Sequence, residues 1–435
     1  MHLHIVHVIS GYLPDDWGGT QLHLRDLCRE QKAEGHRVEI FARCGGEGED
    51  FEVGSDVYED VPVTRIRNNF SDVDSLTKLY THPVIDARFR AFLEEREPDL
   101  VHVHHLTCLS SSMIDVARSL ELPVVMTLHD FWMQCPRGQR IHPESMEICE
   151  RLDRETCRAC MRKLWPHLIP SEIKLPFLAR LFGKRQEAEE VVDAWERFMK
   201  GALSRCQALI FPAAFHRERF VEWGLDPKLC KVVTHGLNKE AIPFKPRGKK
   251  PVRRIGFIGS VLPSKGVHIL LRAFRRLVEM PGCSDLSLEI HGTMMDFHGD
   301  RSFQGELEAL AGEDGKVRFH GGYKSEELPG ILEGIDVLVI PSIWWETFCL
   351  TAREGALAGI PVVGSDLAGI GEAVREGMIL GFEKGDVQGL TEQLKKLCED
   401  SELRERMSHK RDLVRSMADC WKETKSIYQS VLEGS

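Results

Sequence analysis

Short apolar runs alternate with amphipathic stretches along this chain, and the alternation occurs in two separate series. The first series extends from HIVHVIS to PVVMTLHD, and the second extends from RRIGFIGS to PVVGSD. Apolar runs of about four to eight residues are typical of buried strands, and their alternation with helical periods predicts parallel sheets covered by helices. The sequence therefore predicts an α/β protein with two Rossmann-like, doubly wound domains facing across a cleft.

A Pro- and Lys/Arg-rich stretch, KEAIPFKPRGKKPVRR, separates the two series and is predicted to be an exposed linker. A chain of 435 residues is too long for one hydrophobic core. We therefore expect an N-terminal domain over residues 1–240 and a C-terminal domain over residues 241–390, followed by C-terminal helices over residues 391–435. A single large sheet is the alternative, which the linker disfavours. An insert at about residues 131–200 interrupts the first series.

Composition and charge narrow the classes of partner and compartment. The net charge of −10 argues against nucleic acid as the main partner. The apolar run at the N-terminus is far too short for a signal peptide or a membrane span, and thirteen cysteines without an export signal indicate a reducing compartment. We therefore expect a cytoplasmic protein, with contact to the inner membrane face as a further option.

A basic and apolar stretch within the insert is the feature that raises the membrane option. The segment Leu175–Arg185, LPFLARLFGKR, could lie on an anionic membrane surface with its Leu and Phe side chains inserted. A helix that packs on the core while its arginines reach solvent explains the same pattern. The sequence leaves both interpretations open.

Two acids eight residues apart, Glu346 and Glu354, follow the apolar run DVLVIPS and border a helix rich in small residues. Such a strand–loop–helix unit places free backbone N–H groups and the positive helix end at the carboxyl edge of a sheet, where open α/β sheets bind ligands. The two acids could hold hydroxyls of two sugar rings, although a pair of acids at a helix start is often only a cap. A diphosphate could lie on the N–H groups of Thr347, Phe348, Cys349 and Leu350.

The stretch WWETFCLTAREGALAGIPVV resembles the family 4 retaining glycosyltransferases of the GT-B fold. The resemblance is sharp from Gly256 to Gly371 and is weak in the first half except at GGTQ, GHRVEI and THGL. The resemblance implies transfer of a sugar, with retention, from a nucleoside-diphosphate sugar to the hydroxyl of a glycan or lipid-linked acceptor. It implies that Glu346 contacts the donor sugar and that Glu354 binds the ribose hydroxyls. No metal is implied at the reaction centre. Surface polysaccharide or glycolipid synthesis is the usual setting, and a long terminal helix from about Leu390 is expected to cross back to the first domain.

Two positions in the first series are candidates for the donor and acceptor side. Gly19 ends the loop after the first strand, where a glycine lets the backbone approach a phosphate, although a plain strand-to-helix turn explains it equally. His129 follows the strand PVVMTL, and one histidine among 19 could also be purely structural. The resemblance implies that Gly19 lies at the donor phosphate and that His129 orients the transferred sugar. A metal site at His102 and His104 is not predicted.

Lys265 lies in a loop between a strand and a helix, where a lysine can neutralise a diphosphate as a point charge. The resembling family has an arginine directly after the first glycine of this loop, and Ser260 occupies that place here. The resemblance therefore supports Lys265 as a donor-binding and catalytic residue and leaves the second cation open. Cys349 departs from the family in the same way, because a glycine is usual there. The candidates for the second cation are Arg254, Lys324 and Arg353.

Four cysteines cluster within the insert, with the spacing C-x13-C-x7-C-x2-C: Cys135, Cys149, Cys157 and Cys160. The final C-x2-C lets two thiolates share one tetrahedral metal ion, so a structural zinc ion is the first hypothesis. Free thiols or a redox pair, and an iron–sulfur cluster, are the alternatives. His142 and His167 are spare ligand candidates. A four-cysteine site has no open position and would hold the insert beside His129 rather than act on substrate.

Two other classes of protein share the predicted fold. A sugar-nucleotide epimerase or a phosphorylase would use a similar donor site, but the chain shows no sign of the lysine-bound cofactor and greater length of a phosphorylase. A non-catalytic binding module that kept the fold is the second alternative, and Ser260 in place of the expected arginine keeps it open. Isomerisation of the sugar nucleotide without an acceptor would identify the epimerase.

Overall fold

The computed structural model describes residues 2–169, 187–296 and 302–434, so the stretch Leu175–Arg185 lies outside the described residues. Contacts divide the chain into two compact units. The first unit comprises Met1–His142, Cys149–His235 and Met417–Ser435, and the second comprises Pro143–Ile148 and Gly236–Ser416. Within the described ranges, no helix is both long and apolar enough to cross a membrane.

The described part of the first unit is built on an eight-stranded sheet with the order β3-β4-β2-β1-β5-β6-β7-β8. All neighbouring strands are parallel except β3, which pairs antiparallel with β4. The strands are β1 (His4–Ile9), β2 (Arg37–Cys44), β3 (Val53–Tyr58), β4 (Val61–Arg67), β5 (Leu100–Val103), β6 (Val124–Thr127), β7 (Ala208–Phe211) and β8 (Cys230–Val232).

Helices connect these strands, as the alternating sequence signals predict. The helices are α1 (Gly19–Ala33), α2 (Pro83–Arg96), α3 (Met113–Ser119), α4 (Arg154–Leu164), α5 (Glu187–Ser204), α6 (Ala214–Glu222) and, at the C-terminal end, α14 (Met417–Glu433). The last of these packs on the sheet: Trp421 and Tyr428 share one buried apolar cluster with Ile5 and Leu100. Burial of such large aromatic side chains is the main free energy that holds a terminal helix in place.

The described part of the second unit contains a six-stranded, fully parallel sheet with the order β11-β10-β9-β12-β13-β14. The strands are β9 (Arg254–Ile258), β10 (Ser287–His291), β11 (Val317–Gly321), β12 (Val337–Ile340), β13 (Val362–Ser365) and β14 (Leu380–Phe382). The helices are α7 (Val267–Val278), α8 (Ser302–Ala311), α9 (Leu328–Glu333), α10 (Leu350–Ala358), α11 (Ala368–Arg375), α12 (Val387–Glu399) and α13 (Ser401–Ser408).

The strand order of the second unit identifies its ligand edge. The chain passes from β9 outward to β10 and then returns to place β12 on the other side of β9. The carboxyl ends of β9 and β12 therefore border the point where the strand order reverses, which is where open α/β sheets bind ligands. The loops that follow these strands, residues 259–266 and 341–349, carry the candidate residues Lys265 and Glu346.

The C-terminal region, expected to contain helices, forms three of them, α12, α13 and α14, so the long helix expected from about Leu390 is divided. Asp400 ends α12 and caps α13, since its carboxylate accepts a hydrogen bond from the backbone N–H of Leu403. Such a cap satisfies a helix N-terminus and so favours a new helix over continuation of the old one. An irregular segment then separates α13 from α14, which belongs to the first unit.

Candidate active site

Two loops of the second unit meet at the carboxyl ends of β9 and β12. The backbone N–H of Ile343 donates to the carbonyl of Ser264, at 2.9 Å. Gly266 adopts a left-handed conformation with φ of +71°, and a Cβ atom there would lie 1.9 Å from the Pro341 carbonyl oxygen. Only glycine permits both the conformation and the approach. The loop that carries Lys265 is therefore held against the loop that carries Glu346.

Glu346 and Lys265 form a partly buried ion pair, with 2.6 Å between the Lys265 Nζ atom and the Glu346 Oε1 atom. The same oxygen accepts hydrogen bonds of 2.9 Å from the Ser342 hydroxyl and from the Trp344 indole N–H. The ammonium group also lies over the Trp344 ring, 5.2 Å from its centroid. Three donors on one oxygen fix the orientation of the Glu346 carboxylate. Lys265 and Glu346 are 81 residues apart in the sequence.

Both charges of this pair are retained at neutral pH. Burial opposes ionisation of Glu346, but the Lys265 charge and three hydrogen bonds outweigh it and lower the pKa of the carboxyl. Burial likewise opposes the charge of Lys265, and attraction by Glu346 leaves the pKa of the ammonium group raised. A charged pair inside a partly desolvated site acts more strongly on a charged ligand than the same pair would in water.

The loop after Glu346 enters α10 through a strained residue. Cys349 is the N-cap and adopts φ of +65°, a left-handed conformation that favours glycine. The conformation explains why a glycine is usual here. The Arg353 guanidinium is buried and donates to the carbonyl oxygens of Phe348, Cys349 and Gly369, while it lies over the Phe348 ring at 4.0 Å. Arg353 therefore stabilises the loop from within.

Gly369, at the start of α11, supports the same loop from the other side. Its backbone N–H donates to the Glu346 carbonyl at 2.9 Å. A Cβ atom on Gly369 would lie 2.5 Å from the Thr347 carbonyl oxygen and 2.8 Å from that of Glu346. No side chain fits in this position. The backbone around Glu346 is thus held by contacts that only a glycine allows.

Glu354 differs from Glu346 in having no partner for its charge. Within the described ranges, its carboxylate has no hydrogen-bond or salt-bridge partner. Its charge acts on the nearby Tyr323 hydroxyl, whose pKa is raised by burial and then by Glu354. Burial raises the pKa of the Glu354 carboxyl to about 7. A largely buried carboxyl without partners is costly, and such groups mark functional sites more often than structural ones.

Glu354 is expected to make the free energy of unfolding depend on pH. Because burial raises the folded-state pKa from 4.5 to about 7, the folded protein binds this proton more tightly than the unfolded chain. The resulting stabilisation is fully present below pH 4.5 and is lost as the pH rises through about 7. Urea unfolding of wild type and of Glu354→Gln, at about pH 5 and about pH 8, measures the effect. The wild type should lose more than about 1 kcal/mol relative to the variant between these conditions.

The structure separates the candidates for a second cation. Arg254 begins β9 and therefore lies at the opposite end of the strand from Lys265. Arg353 is buried on backbone carbonyls, as described above. Lys324 is exposed and follows the carboxyl end of β11, the edge strand of the sheet. Ser260 is the second residue after β9 and follows Gly259, whose φ of +145° requires glycine.

The first-unit candidates lie at carboxyl ends of its parallel strands. Gly19 is the first residue of α1, and no side chain caps this helix, so its first backbone N–H groups are open to another acceptor. His129 follows β6, and its two ring nitrogens lie 3.1 and 3.2 Å from nitrogens of His104 and His235. Asp130 bonds His105 at 3.1 Å. These residues form one polar edge of the first sheet.

The four cysteines of the insert share one neighbourhood in the first unit. Cys157 and Cys160 lie one turn apart on α4. Burial, followed by the Cys135 and Cys149 thiols, raises the pKa of Cys157 to about 12. Two groups of three described residues bring metal-ligating atoms within 4.8 Å of one another, and neither includes a cysteine of the quartet. The groups are His7, His102 and His104, and His23, His235 and Cys420.

Sequence reasoning missed the residues that hold the loops in place. Ser342 and Trp344 lie within four residues of Glu346, and their spacing gave no sign that both would donate to it. Gly266 and Gly369 were not among the candidates either, because nothing local in the sequence shows which glycines allow two backbones to approach closely.

Two protein families match this chain. The family described as Glycosyltransferase Family 4 matches residues 17–241, which is more than half of the chain. The family described as Glycosyl transferases group 1 matches residues 238–412. The two matches together cover both series of strands and helices, and the second contains Lys265, Glu346 and Glu354.

Curated relatives are similar over most of their length. Glycogen synthase of Mycobacterium tuberculosis is 25% identical over 423 residues, which are 92% of this chain and 86% of that protein. The MMP alpha-(1->4)-mannosyltransferase of Mycolicibacterium hassiacum is 27% identical over 376 residues, which are 82% of this chain and 80% of that protein.

Solved structures show the fold. Sucrose-phosphate synthase from Thermosynechococcus elongatus superimposes with a TM-score of 0.68 at 16% identity and covers 100% of both chains. HepE from Anabaena, in complex with UDP and glucose, has a TM-score of 0.67 at 17% identity, over 99% of this chain and 100% of that one. The prediction of two Rossmann-like α/β domains of the GT-B type is confirmed. The chain belongs to glycosyltransferase family 4 and is a glycosyltransferase.

Proposed function

We propose that this enzyme transfers a sugar, with retention, from a nucleoside-diphosphate sugar to the hydroxyl of a glycan or lipid-linked acceptor. The observation that carries the proposal is the pair of acids in the second unit. Glu346 is fixed by Lys265 and two further donors, whereas Glu354 is a largely buried carboxyl that has no partner among the described residues. The HepE structures contain UDP and UDP-glucose, which agrees with a donor of this class.

Each acid suits one part of such a donor. The Glu354 carboxylate can accept hydrogen bonds from two ribose hydroxyls, which would relieve its unpaired charge. Glu346 is held with one oxygen on Lys265, so its second oxygen can accept from a hydroxyl of the donor sugar. The diphosphate would then lie on the backbone N–H groups of Thr347, Phe348, Cys349 and Leu350 at the start of α10.

Departure of the nucleoside diphosphate puts negative charge on the phosphate oxygen that held the sugar. Lys265 and the N–H groups of the 347–350 loop are fixed before the reaction, so they stabilise this charge without reorganising. In same-face transfer the departing oxygen takes the proton of the acceptor hydroxyl as the new glycosidic bond forms. No second carboxylate base is then required, in contrast to glycoside hydrolases. Gly19 and His129 are the first-unit candidates for contact with the donor.

Nucleotide binding tests this proposal without knowledge of the acceptor. Thermal shifts are measured with UDP, GDP, ADP and TDP in the absence of added metal, on wild type, Glu354→Ala and the exposed-residue control Glu376→Ala. One base should raise the melting temperature of wild type and of the control, and the shift should be lost in Glu354→Ala. The corresponding sugar nucleotides are then assayed for transfer.

Three results would contradict the proposal. No shift with any nucleotide would favour a binding module without donor chemistry. An isomerised sugar nucleotide formed without an acceptor would favour an epimerase. An equal shift in Glu354→Ala and wild type would place the nucleotide away from the two acids.

We propose in addition that the cysteine quartet holds a structural zinc ion. Burial, and after it the neighbouring thiols, raise the pKa of Cys149, Cys157 and Cys160, so a nearby cation would favour their ionised forms. Arg137 and Arg140 both interact with these cysteines and could balance the excess charge of four thiolates around zinc. A zinc ion bound by four cysteines has no open position, and its role would be to hold the insert.

Metal analysis of the purified protein is expected to find about one zinc ion per chain. Cys157→Ser should lower the zinc content well below that of wild type and should lower the melting temperature. Cys44→Ser is the matched control, because Cys44 lies on β2, outside the quartet, and its loss should leave the zinc content unchanged. Zinc-free protein with four titratable thiols would instead support free cysteines, and iron with visible absorbance would support an iron–sulfur cluster.

The setting of the reaction is proposed on more general grounds. The curated relatives include a phosphatidyl-myo-inositol mannosyltransferase and glycogen synthases, so both lipid-linked and polysaccharide acceptors occur among proteins of this type. We propose surface polysaccharide or glycolipid synthesis on the cytoplasmic side, with peripheral contact to the membrane. Co-sedimentation with anionic vesicles, compared between wild type and a variant with the basic residues of Leu175–Arg185 replaced, tests that contact.

A further inference from the structure

Six histidines lie side by side in the first unit, within its described residues. They are brought together by neighbouring parallel strands, because His7 on β1 pairs in register with His102 on β5. The others follow strand ends or face them from α1. Five of the six are buried, and His129 is partly exposed. The six are His7, His23, His102, His104, His129 and His235.

Four of these rings form a row of hydrogen bonds, and each link joins the Nδ1 atom of one ring to the Nε2 atom of the next. The distances are 3.0 Å from His7 to His104, 3.1 Å from His104 to His129, and 3.2 Å from His129 to His235. At the buried end, the Nε2 atom of His7 lies 2.8 Å from the Oε1 atom of Gln31. We call this row the histidine chain.

Three rings of the histidine chain, those of His7, His104 and His129, are neutral. Burial lowers the pKa of His7 to about 4, and burial together with neighbouring histidines lowers the pKa of His104 and of His129 well below the usual value. A neutral imidazole has one N–H donor and one acceptor nitrogen. Each ring in the row must therefore donate in one direction and accept from the other.

One amide oxygen decides that direction. The Gln31 Oε1 atom can only accept, so the Nε2 atom of His7 must carry the proton and its Nδ1 atom must accept. His104 then donates from Nε2 to His7 and accepts at Nδ1 from His129. The same alternation makes His129 donate from Nε2, and leaves its Nδ1 as the acceptor that faces His235. The opposite tautomer at any ring would place two donors or two acceptors against each other.

We propose that Gln31, acting through His7 and His104, sets the tautomer and orientation of His129, so that His129 presents its Nδ1 atom as a hydrogen-bond acceptor. Gln31, His7 and His104 are positioning residues in this scheme, and they touch neither donor nor acceptor. The Gln31 side chain is fully buried and lies two histidine rings away from His129. Its substitution therefore reaches His129 through other side chains, and the histidine chain is the hydrogen-bonded route between them.

A metal ion is a weaker explanation of the same histidines. The ligand atoms of His7, His102 and His104 lie within 4.8 Å of one another. All six ring nitrogens of this trio already have hydrogen-bond partners, however, since His102 bonds the Tyr428 hydroxyl at 2.5 Å and the Thr127 hydroxyl at 2.7 Å. A metal ion would have to replace bonds that satisfy every nitrogen.

The consequence for the reaction rests on the proposed function. If His129 orients the transferred sugar, a sugar hydroxyl must donate to His129 Nδ1 and replace the bond from His235. The histidine chain then lowers the free-energy cost of binding the sugar, because His129 does not have to change its tautomer or turn its ring. Loss of one neutral hydrogen bond is worth about 1 kcal/mol, which corresponds to about fivefold in rate.

Imidazole nitrogen spectra test the tautomer directly. Long-range proton–nitrogen correlations of full-length protein labelled with 15N-histidine distinguish the protonated from the unprotonated ring nitrogen. The signals of His104 and His129 are assigned by their loss in His104→Asn and His129→Asn. Wild type should show both rings protonated at Nε2. Gln31→Met, which removes the acceptor oxygen at similar length, should shift both toward a mixture of tautomers, and Gln31→Glu should keep the wild-type pattern.

Kinetics test the positioning role on the same proteins. With the sugar nucleotide identified by the nucleotide panel, Gln31→Met should lower kcat about fivefold with little change in the donor KM. Gln31→Glu should recover most of the loss. Gln304→Met, at an exposed glutamine of α8, is the control for the substitution itself and should match wild type.

Several outcomes would overturn the inference. His129 protonated at Nδ1 in wild type, or tautomers unchanged in Gln31→Met, would show that Gln31 does not set the direction. Altered tautomers with an unchanged kcat would remove the positioning role. Zinc or another metal whose content falls in His7→Asn would show that the trio is a metal site. Absence of transfer by wild type would count against the proposed function alone, because the spectra decide the tautomers independently.

Discussion

Replacing Lys265 by methionine is expected to lower kcat for sugar transfer by about two to three orders of magnitude, the usual effect of removing one preorganised charge from a site where charge develops. Lys265 is the cation that the structure places on Glu346, at 2.6 Å, between the ends of β9 and β12. Without it, the departing diphosphate would be stabilised by backbone N–H groups alone. Steady-state kinetics with the identified donor measure the loss.

The same substitution should also destabilise the protein, and the two effects must be separated. Lys265→Met leaves Glu346, which is 8% exposed, without its countercharge. Removal of one partner from a buried ion pair costs about 3 to 5 kcal/mol. The double variant Lys265→Met/Glu346→Gln removes both charges and should recover most of the stability in urea unfolding. It should not recover kcat.

This pair of variants distinguishes a structural from a catalytic role for Lys265. If kcat returns in the double variant together with the stability, Lys265 serves only to balance Glu346. A double variant that is stable and inactive is the expected result. Glu346→Gln alone should reduce kcat while it preserves the hydrogen bonds from Ser342 and Trp344, because the amide oxygen can still accept them.

Alanine at Gly369 is expected to displace the loop that carries Glu346 and Thr347. The added Cβ atom would lie 2.5 Å from the Thr347 carbonyl oxygen and 2.8 Å from the Glu346 carbonyl oxygen. Both are backbone atoms, so the clash is relieved only if the loop moves. We expect a loss of about 1 to 3 kcal/mol in the free energy of unfolding, and nucleotide affinity weakened by about tenfold or more.

Gly330→Ala is the matched control for this prediction. Gly330 lies in the helix α9, and a Cβ atom there meets nothing within 4 Å. Alanine at such a position should leave nucleotide binding unchanged and should stabilise the helix by about 0.5 to 1 kcal/mol. Calorimetric titration with the nucleoside diphosphate and urea unfolding measure both quantities. Equal nucleotide affinity in Gly369→Ala and wild type would show that the loop does not depend on this contact.

Much of the fold followed from local patterns. Each buried parallel strand is a short apolar run, so the alternation of strands and helices could be predicted from burial alone. The edge strand β3, Val53–Tyr58, was missed because most of its residues are exposed and carry no apolar period. It is held instead by pairing with β4 and by the salt bridge from Arg65 to Asp56. The end of α12 at Asp400 was missed because the helical pattern of apolar residues continues on both sides of it. One capping residue is enough to start a new helix there.

The candidate site could be predicted only in part. The resemblance of one stretch to a family identified Glu346, Glu354 and the loop between them, and the family itself is confirmed by the matches. The roles of these residues remain predictions. No pattern indicated that, among the described residues, Glu354 would lack a partner while Glu346 would have three, since that difference depends on how its own loop folds and on Lys265 from another loop.

The histidines show the same division between sequence and structure. The run LVHVHH predicts a strand end rich in imidazoles, and the strand β6 leads to His129. The partners of His129 come from segments 25 and 106 residues distant, so no local pattern could indicate them. Gln31 is likewise an ordinary helix residue in the sequence.

Local patterns in the sequence were enough to predict the classes of structure and the loops that carry the candidate residues. Local properties of the sequence include the strand and helix periodicity, the linker and the spacing of Glu346 and Glu354. Such patterns indicate which faces are buried and where strands end. The folded chain shows which charges meet and which glycines allow two backbones to touch, and among the described residues it leaves the Glu354 carboxyl without a partner. Lys265 and Glu346 are 81 residues apart, and their contact exists only because β9 and β12 are neighbours in the sheet. Burial and charge pairing depend on such neighbours, and therefore the chemistry of the site is a property of the folded chain.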